Sequence, residues 1–433
     1  MARTSYKPTL ASAVIIANMI GTGVFTSLGF QLLDIKSGFV LILLWIVGGI
    51  TALCGALTYA ELGAALPRSG GEYNFLTRIY HPMVGFISGW ISATIGFAAP
   101  VAMAAIVFGT YLSSAVPSLS TTWLAYGLIV VVTLAHVGKR NRSSNFQGVF
   151  TALKISLIIG FCLLCGFFVE TPQTISFLPQ QGDGMLITGS AFAVSLIYVN
   201  YAYTGWNSVT YLISEIDDAQ KNLPRILVTS TVIVLLLYVA LNFVFLYVAP
   251  IEAMEGKLEV GYIAAQHVFG DTGASVISFV LSLLLISTVS AMTIAGPRVL
   301  QVIGEDFVLF RWLSRKNDDG IPSLAIYVQS TIAIIFVRTS SFESILLFSA
   351  FILGLNTLFA VGGIFVLRWR QPDLPRPYRT WLYPFPPLIF MGLMIWTLVY
   401  TANIRPTEAW LALAIIAGGA GAYRIARQFE ARN

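Results

Sequence analysis

Charge is what this 433-residue sequence has least of: Asp, Glu, Lys and Arg together make up 10% of it. That is too little to keep a disordered chain solvated or to coat a soluble surface, and it leaves no free-standing basic domain for nucleic acid. Cysteine is nearly absent as well. Cys54, Cys162 and Cys165 all sit inside apolar runs, so no disulfide framework or zinc knuckle is available, and Cys162-x-x-Cys165 reads as packing. His81, His136 and His267 are scattered, with no His-Glu-x-x-His and no aspartate pair within an apolar run. A membrane-embedded enzyme would need such clusters, and a channel would need a filter or rings of charge. Neither pattern occurs, and no residue set asks for a cofactor or a metal.

What is present is apolar surface. Hydrophobic residues make up 57% of the chain before its 37 glycines are counted, against roughly 45–50% with glycine included in a soluble domain. Mean hydropathy is +0.80. A helix needs about 20 apolar residues to cross a bilayer. Twelve such runs appear, at about 9–33, 38–66, 82–114, 122–138, 145–169, 187–215, 225–249, 273–297, 322–338, 342–368, 383–403 and 407–427. They are continuous, without the alternation of a membrane barrel. The first run follows Arg3 and Lys7 but lacks a small-residue cleavage site, so it reads as a retained span. The reading is one all-α membrane domain over 1–433, with loops too short to form a second domain.

The basic residues set the orientation. With the N-terminus inside, only Lys36, Lys257, Arg338 and Arg405 of the 25 Lys and Arg face out, and Lys154 alone falls within a span. That bias places both termini in the cytoplasm, as for a multi-pass protein of the plasma (inner) membrane. The sequon Asn141-Arg142-Ser143 then lies on the cytoplasmic side, beyond the glycosylation machinery.

Two runs are interrupted at mid-length. The first reads Met19-Ile20-Gly21-Thr22-Gly23 and the sixth Tyr201-Ala202-Tyr203-Thr204-Gly205-Trp206-Asn207. Small residues in one span often serve only close packing. Two such sites in corresponding spans of two five-helix halves, about 9–169 and 187–368 with extra helices at 383–427, predict an inverted-repeat transporter with its site where the broken helices meet. The segment restarting at Thr22-Gly23 offers free N–H groups to a carboxylate. The segments ending at Met19-Ile20 and Tyr201-Ala202-Tyr203 offer carbonyls to an ammonium. Such a site suits an α-amino acid.

Lys154 lies nine residues from Asn145 in the fifth run, about 13 Å deep at 1.5 Å per residue. An intramembrane lysine is costly and functional by default. Its expected partner is the carbonyl end of the first half of helix 1, where an ammonium can replace a sodium ion. Ser287 and Thr288 in the eighth run could instead ligate sodium. Glu61 and Glu215 sit at inner ends of spans, where they either pair with loop arginines or serve a gate.

On these residues the sequence resembles the amino acid-polyamine-organocation transporter superfamily, and within it the L-type amino acid transporter branch in its prokaryotic form. Ile20-Gly21-Thr22-Gly23-Val24-Phe25 looks like that branch's G-S-G-I-F segment, and 201–207 like its F-A-Y-x-G-W-N segment. Pro67-Arg68-Ser69-Gly70-Gly71-Glu72-Tyr73 is similar to its P-x-S-G-G-x-Y loop, and 371–379 to its R-P-D-L-P-R-P-Y-K loop. Lys154 falls where the branch carries a helix 5 lysine. The resemblance implies that Thr22 and Gly23 hold a substrate carboxylate, that carbonyls of Met19, Tyr201, Ala202 and Thr204 hold its ammonium, and that Tyr201 is an aromatic gate. Trp206 and Asn207 join Lys154, Ser287 and Thr288 as gating or coupling residues. Eukaryotic members that pair with a heavy chain use an outer cysteine between helices 3 and 4. Residues Ser113 to Thr122 contain none, which argues against a disulfide-linked partner. The expected activity is sodium-independent exchange or uptake of neutral L-amino acids. Sodium- or proton-coupled symport of amino acids or polyamines, and sensing without transport, stay open.

Overall fold

Apolar runs of this length, in a medium without hydrogen-bond partners, must close their own backbone bonds, and a helix does so within one segment. The computed structural model describes residues 7–138, 143–318 and 320–432, and its regular elements are helical. The first half comprises α1 (Pro8–Met19), α2 (Gly23–Gln31), α3 (Gly38–Ala65), α4 (Glu72–Ile79), α5 (Pro82–Ile91), α6 (Ala98–Ala115), α7 (Thr121–Gly138) and α8 (Ser143–Phe168). The second comprises α9 (Asp183–Thr188), α10 (Ser190–Ala202), α11 (Ala219–Val248), α12 (Ile251–Met254), α13 (Val260–Asp306), α14 (Ser323–Thr339), α15 (Phe342–Arg370), α16 (Phe385–Ile404) and α17 (Pro406–Arg432). A π turn, Ser92–Gly96, joins α5 to α6, and 3-10 turns cover Ser208–Glu215 and Val308–Ser314. Arg3, Lys139, Arg140, Arg142 and all of the sequon except Ser143 lie outside the described residues.

Each of the twelve expected runs carries helix. Among the described residues nine helices, counting α1 with α2 and α5 with α6, are long and apolar enough to cross a membrane; Thr121–Val137, Ser190–Ala202 and Ser323–Thr339 are shorter apolar helices. This is a multi-pass membrane protein. Local signals fix several starts. Pro8 and Pro82 occupy first helical positions, where a missing N–H costs nothing. Ser37 and Ser341 cap α3 and α15 by accepting from Val40 N at 3.3 Å and Ser344 N at 3.2 Å.

Some boundaries depart from the expected runs. The segment 250–272, between the seventh and eighth runs, is helical at Ile251–Met254 and again from Val260; Gly270, at φ 67°, interrupts α13. The third run is continuous in hydropathy but passes through the π turn. The eleventh element in the chain, α11, begins at Ala219 and carries Pro224 in its first turns.

Small residues set the spacing around the core. Along α3, a methyl on Gly48 would lie 2.4 Å from Val199 of α10, on Gly55 2.7 Å from Trp206, and on Gly63 2.4 Å from Leu223 of α11. Backbones approach closely there because nothing protrudes. The outcome is α10 and α11 held against α3, with α1 between α8 and α11, and α6 against α13.

Candidate functional site

Helix α1 stops at Met19. Ile20 takes φ −74°, ψ 81°, Gly21 N turns back to Met19 O at 2.8 Å, and α2 restarts at Gly23. Helix α10 ends at Ala202 and continues only as irregular turns to Ser208, with Thr204 N and Thr204 Oγ1 both donating to Tyr201 O, at 2.9 and 2.6 Å. The breaks meet. A Cβ on Gly23 would lie 2.6 Å from Ala202 Cα. Gly205, at φ +102°, lies against the other break, and a Cβ there would stand 2.9 Å from the Asn18 carbonyl carbon. Glycine is required twice at this junction, once for close approach and once for a left-handed backbone. The N-terminal end of α2 and the C-terminal end of α10, with their free N–H and carbonyl groups, are therefore adjacent.

Lys154, buried on α8, reaches the first break as the sequence implies. Its Nζ donates to Ala17 O at 3.3 Å, Ile20 O at 3.0 Å and Thr288 Oγ1 at 2.9 Å. All three ammonium protons are thereby engaged. Thr288 of α13 stands beside Gly21, whereas the Ser287 hydroxyl donates to Leu284 O of its own turn at 2.8 Å. The two hydroxyls expected to act together are thus separated.

Other expected site residues divide by what they touch. Tyr203 points into α3, donating to Trp45 O at 3.1 Å. Trp206 packs edge-on against Tyr59, with centroids 4.7 Å apart. Asn207 donates to Glu72. Tyr201 and Thr204, with Asn200 and Trp206, line a cavity of about 40 Å³ closed by Thr51, Thr357 and Phe390. Such a space is on the scale of a water molecule, and no residue of the first break lines it.

Sequence reasoning missed Tyr238. Its hydroxyl lies 2.5 Å from Met19 O and 3.2 Å from Ala202 O, bridging the two helix ends from α11. Met19 O thus accepts from both Gly21 N and Tyr238, and Tyr201 O already accepts two bonds, which fills the two lone pairs of each. A buried phenol needs a partner, so the single tyrosine in Leu235-Leu236-Leu237-Tyr238-Val239 was the available signal.

Paired contacts tie the helices together on either side of the breaks. On one, the Phe30 ring stacks with Tyr198 and Phe342 at 5.7 and 6.1 Å, and Glu343 accepts from Tyr198 at 3.0 Å and Arg405 at 2.9 Å. On the other, Glu61 takes a two-point bond from Arg368 at 2.9 and 2.7 Å and one from Thr380 N at 2.6 Å, while Arg376 Nε stands 3.5 Å away. Glu215 pairs with Arg298 at 3.3 Å. Both carboxylates thus pair with arginines, but Arg298 and Arg368 belong to α13 and α15, and only Arg376 lies in a loop as expected. Tyr73 donates to Asp306, and burial together with that carboxylate raises its phenol well above the ordinary value.

Broken helices whose ends meet inside a helical membrane protein are a feature of carriers. The chain belongs to the amino acid permease family, whose model matches residues 9–420, and the family is one of transporters. Among its relatives is the large neutral amino acids transporter small subunit 2 of Mus musculus, 27% identical over 95% of this chain and 79% of the mouse protein. The Asc-type amino acid transporter 1 of Homo sapiens is 27% identical over 94% of this chain and 79% of its own. The b(0,+)-type amino acid transporter 1 of Mus musculus is 26% identical over 92% and 82%.

Proposed function

We propose that this protein is a secondary active transporter of neutral L-amino acids, working by sodium-independent exchange or uptake across the plasma (inner) membrane. The reading includes twelve spans in two inverted five-helix repeats, about 9–169 and 187–368, two added helices, and both termini in the cytoplasm. The observation that carries it is the junction of the breaks, where Gly23 meets Ala202 and Gly205 meets Asn18. There the substrate carboxylate takes the N–H groups at Thr22 and Gly23, and its ammonium takes carbonyls of the second break. Ala202 and Thr204 are favoured for that role, because Met19 O and Tyr201 O already accept two bonds each.

Sodium independence follows from Lys154, whose ammonium occupies the space between the α1 carbonyls and Thr288. Preference for neutral side chains follows from the lack of a mid-span acidic residue on the third, sixth, eighth and tenth runs. A cationic side chain there would be desolvated without a partner. Operation without a disulfide-linked heavy chain follows from the absence of cysteine between Ser113 and Thr122. That the relatives are amino acid transporters supports the choice of amino acids as substrate class.

Counterflow in proteoliposomes tests it. Internal L-leucine or L-alanine should accelerate labelled uptake with sodium absent, while L-arginine, amino acid methyl esters and N-acetyl amino acids should compete poorly. Uptake that requires a sodium gradient would overturn the coupling assignment, and strong competition by both blocked forms would overturn the site.

A further inference from the structure

Glu72 is 1% exposed, and its carboxylate is held by neutral donors on other segments. Tyr59 of α3 donates at 2.9 Å, and Asn207 and Tyr211, which follow the second break, donate as well. With the Tyr211 proton engaged, Ser92 of the π turn donates to the Tyr211 oxygen at 3.3 Å. The loop before α4 is laid directly on this ring: a Cβ on Gly71, at φ +54°, would stand 2.8 Å from it, and Gly71 N donates to Thr210 O at 3.3 Å. One carboxylate therefore ties together α3, α4, the second break and the π turn.

Residues 204–207 turn with only short-range backbone bonds and 208–215 form a 3-10 turn rather than an α-helix, so side-chain bonds add to what holds this stretch in place. Hydrogen bonds to an ionised acceptor are about twice as strong as neutral ones. Trp206, next to Asn207 in the chain, packs edge-on against Tyr59 and lines the same cavity as Tyr201 and Thr204. We propose that Glu72 is a positioning residue for substrate binding: by holding Asn207 and Tyr211 it sets the second break in the register that presents the Ala202 and Thr204 carbonyls. The inference rests on the transporter reading above.

The test measures equilibrium binding of labelled L-leucine and L-alanine to the full chain in liposomes, beside its thermal unfolding. Glu72→Gln places an amide N–H₂ against a donor, so affinity should fall about tenfold or more in folded protein, the loss expected of a hydrogen bond to a charged group. Asn207→Asp added to Glu72→Gln exchanges donor and acceptor and should recover most of the loss. Glu170→Gln, at an exposed position beyond α8, should leave affinity within twofold. If Glu72→Gln does not fold, Tyr211→Phe decides, with an expected loss of about fivefold. Affinity within twofold of wild type in Glu72→Gln or Tyr211→Phe, even with lowered stability, overturns the proposal, as does failure of the exchange to restore binding. Wild-type protein that binds no amino acid is a different result and removes the transporter reading itself.

Discussion

At Lys154 an ammonium buried among apolar helices has committed its protons to two carbonyls at the end of α1 and one hydroxyl of α13. Removing it strips the Ala17 and Ile20 carbonyls of a shared donor, at a cost of about 1–3 kcal/mol each for unsatisfied buried groups. Lys154→Met fills the space left by the stem and should leave a folded, membrane-inserted protein. Initial transport should fall tenfold or more while substrate affinity changes less than threefold, because α1 loses the brace that makes its two positions discrete. Uptake and efflux from each side of the same liposomes check this, with unequal losses in the two directions as the signature. Normal transport both ways would make Lys154 a tolerated structural lysine. This residue was legible because a charge in an apolar run has few explanations. Tyr238 and Glu72 were not, since a phenol or a carboxylate declares its partner only once separate helices have packed.

At the scale of elements, the breaks were visible as clustered small residues, but their meeting was not, because hydropathy carries no information on which helices touch. The structure supplies it through Gly23 and Gly205. Gly205→Ala forces a β-carbon into left-handed backbone, costing about 1–3 kcal/mol, and drives it toward Asn18. Gly23→Ala keeps an allowed backbone but must push α2 away from Ala202. Both should lower substrate affinity by more than tenfold, whereas Gly160→Ala on α8, with open space around it, should leave affinity and stability unchanged. Isothermal binding with unfolding curves for the three variants separates a misaligned site from general destabilisation. The π turn at 92–96 and the helical stretch from Val260 escaped the sequence for a related reason. A continuous apolar run has no period to betray a shifted hydrogen-bond register, and a helical stretch of about ten residues, Val260–Phe269, is too short to stand out as a span.

Over the whole molecule, a carrier cycle opens one face at a time, so the contacts that tie the helices on one side of the breaks must loosen while those on the other hold. The face carrying Arg405 is held by the Phe30, Tyr198 and Phe342 stack and by Glu343, which joins α10 to the turn between α16 and α17. This links the added C-terminal helices to the second broken helix, a connection invisible in a chain read as repeats plus appendage. Glu343 and Arg405 are partly exposed, at 30% and 45% of their side chains, so solvent screens the pair and roughly 0.5–1 kcal/mol is the scale of its contribution. Glu343→Gln should then shift the equilibrium toward opening on that face by about two- to fivefold. A cysteine in place of Thr204, beyond Tyr198 on the break side and lining the cavity, reports the shift in a background with Cys54, Cys162 and Cys165 replaced. A membrane-impermeant thiol reagent added on the Arg405 face should label it two- to fivefold faster when Glu343→Gln is present, and excess substrate should change the rate in both backgrounds. Labelling equally slow with and without Glu343→Gln would leave the aromatic stack alone as the closure and place the role of Glu343 in anchoring α17.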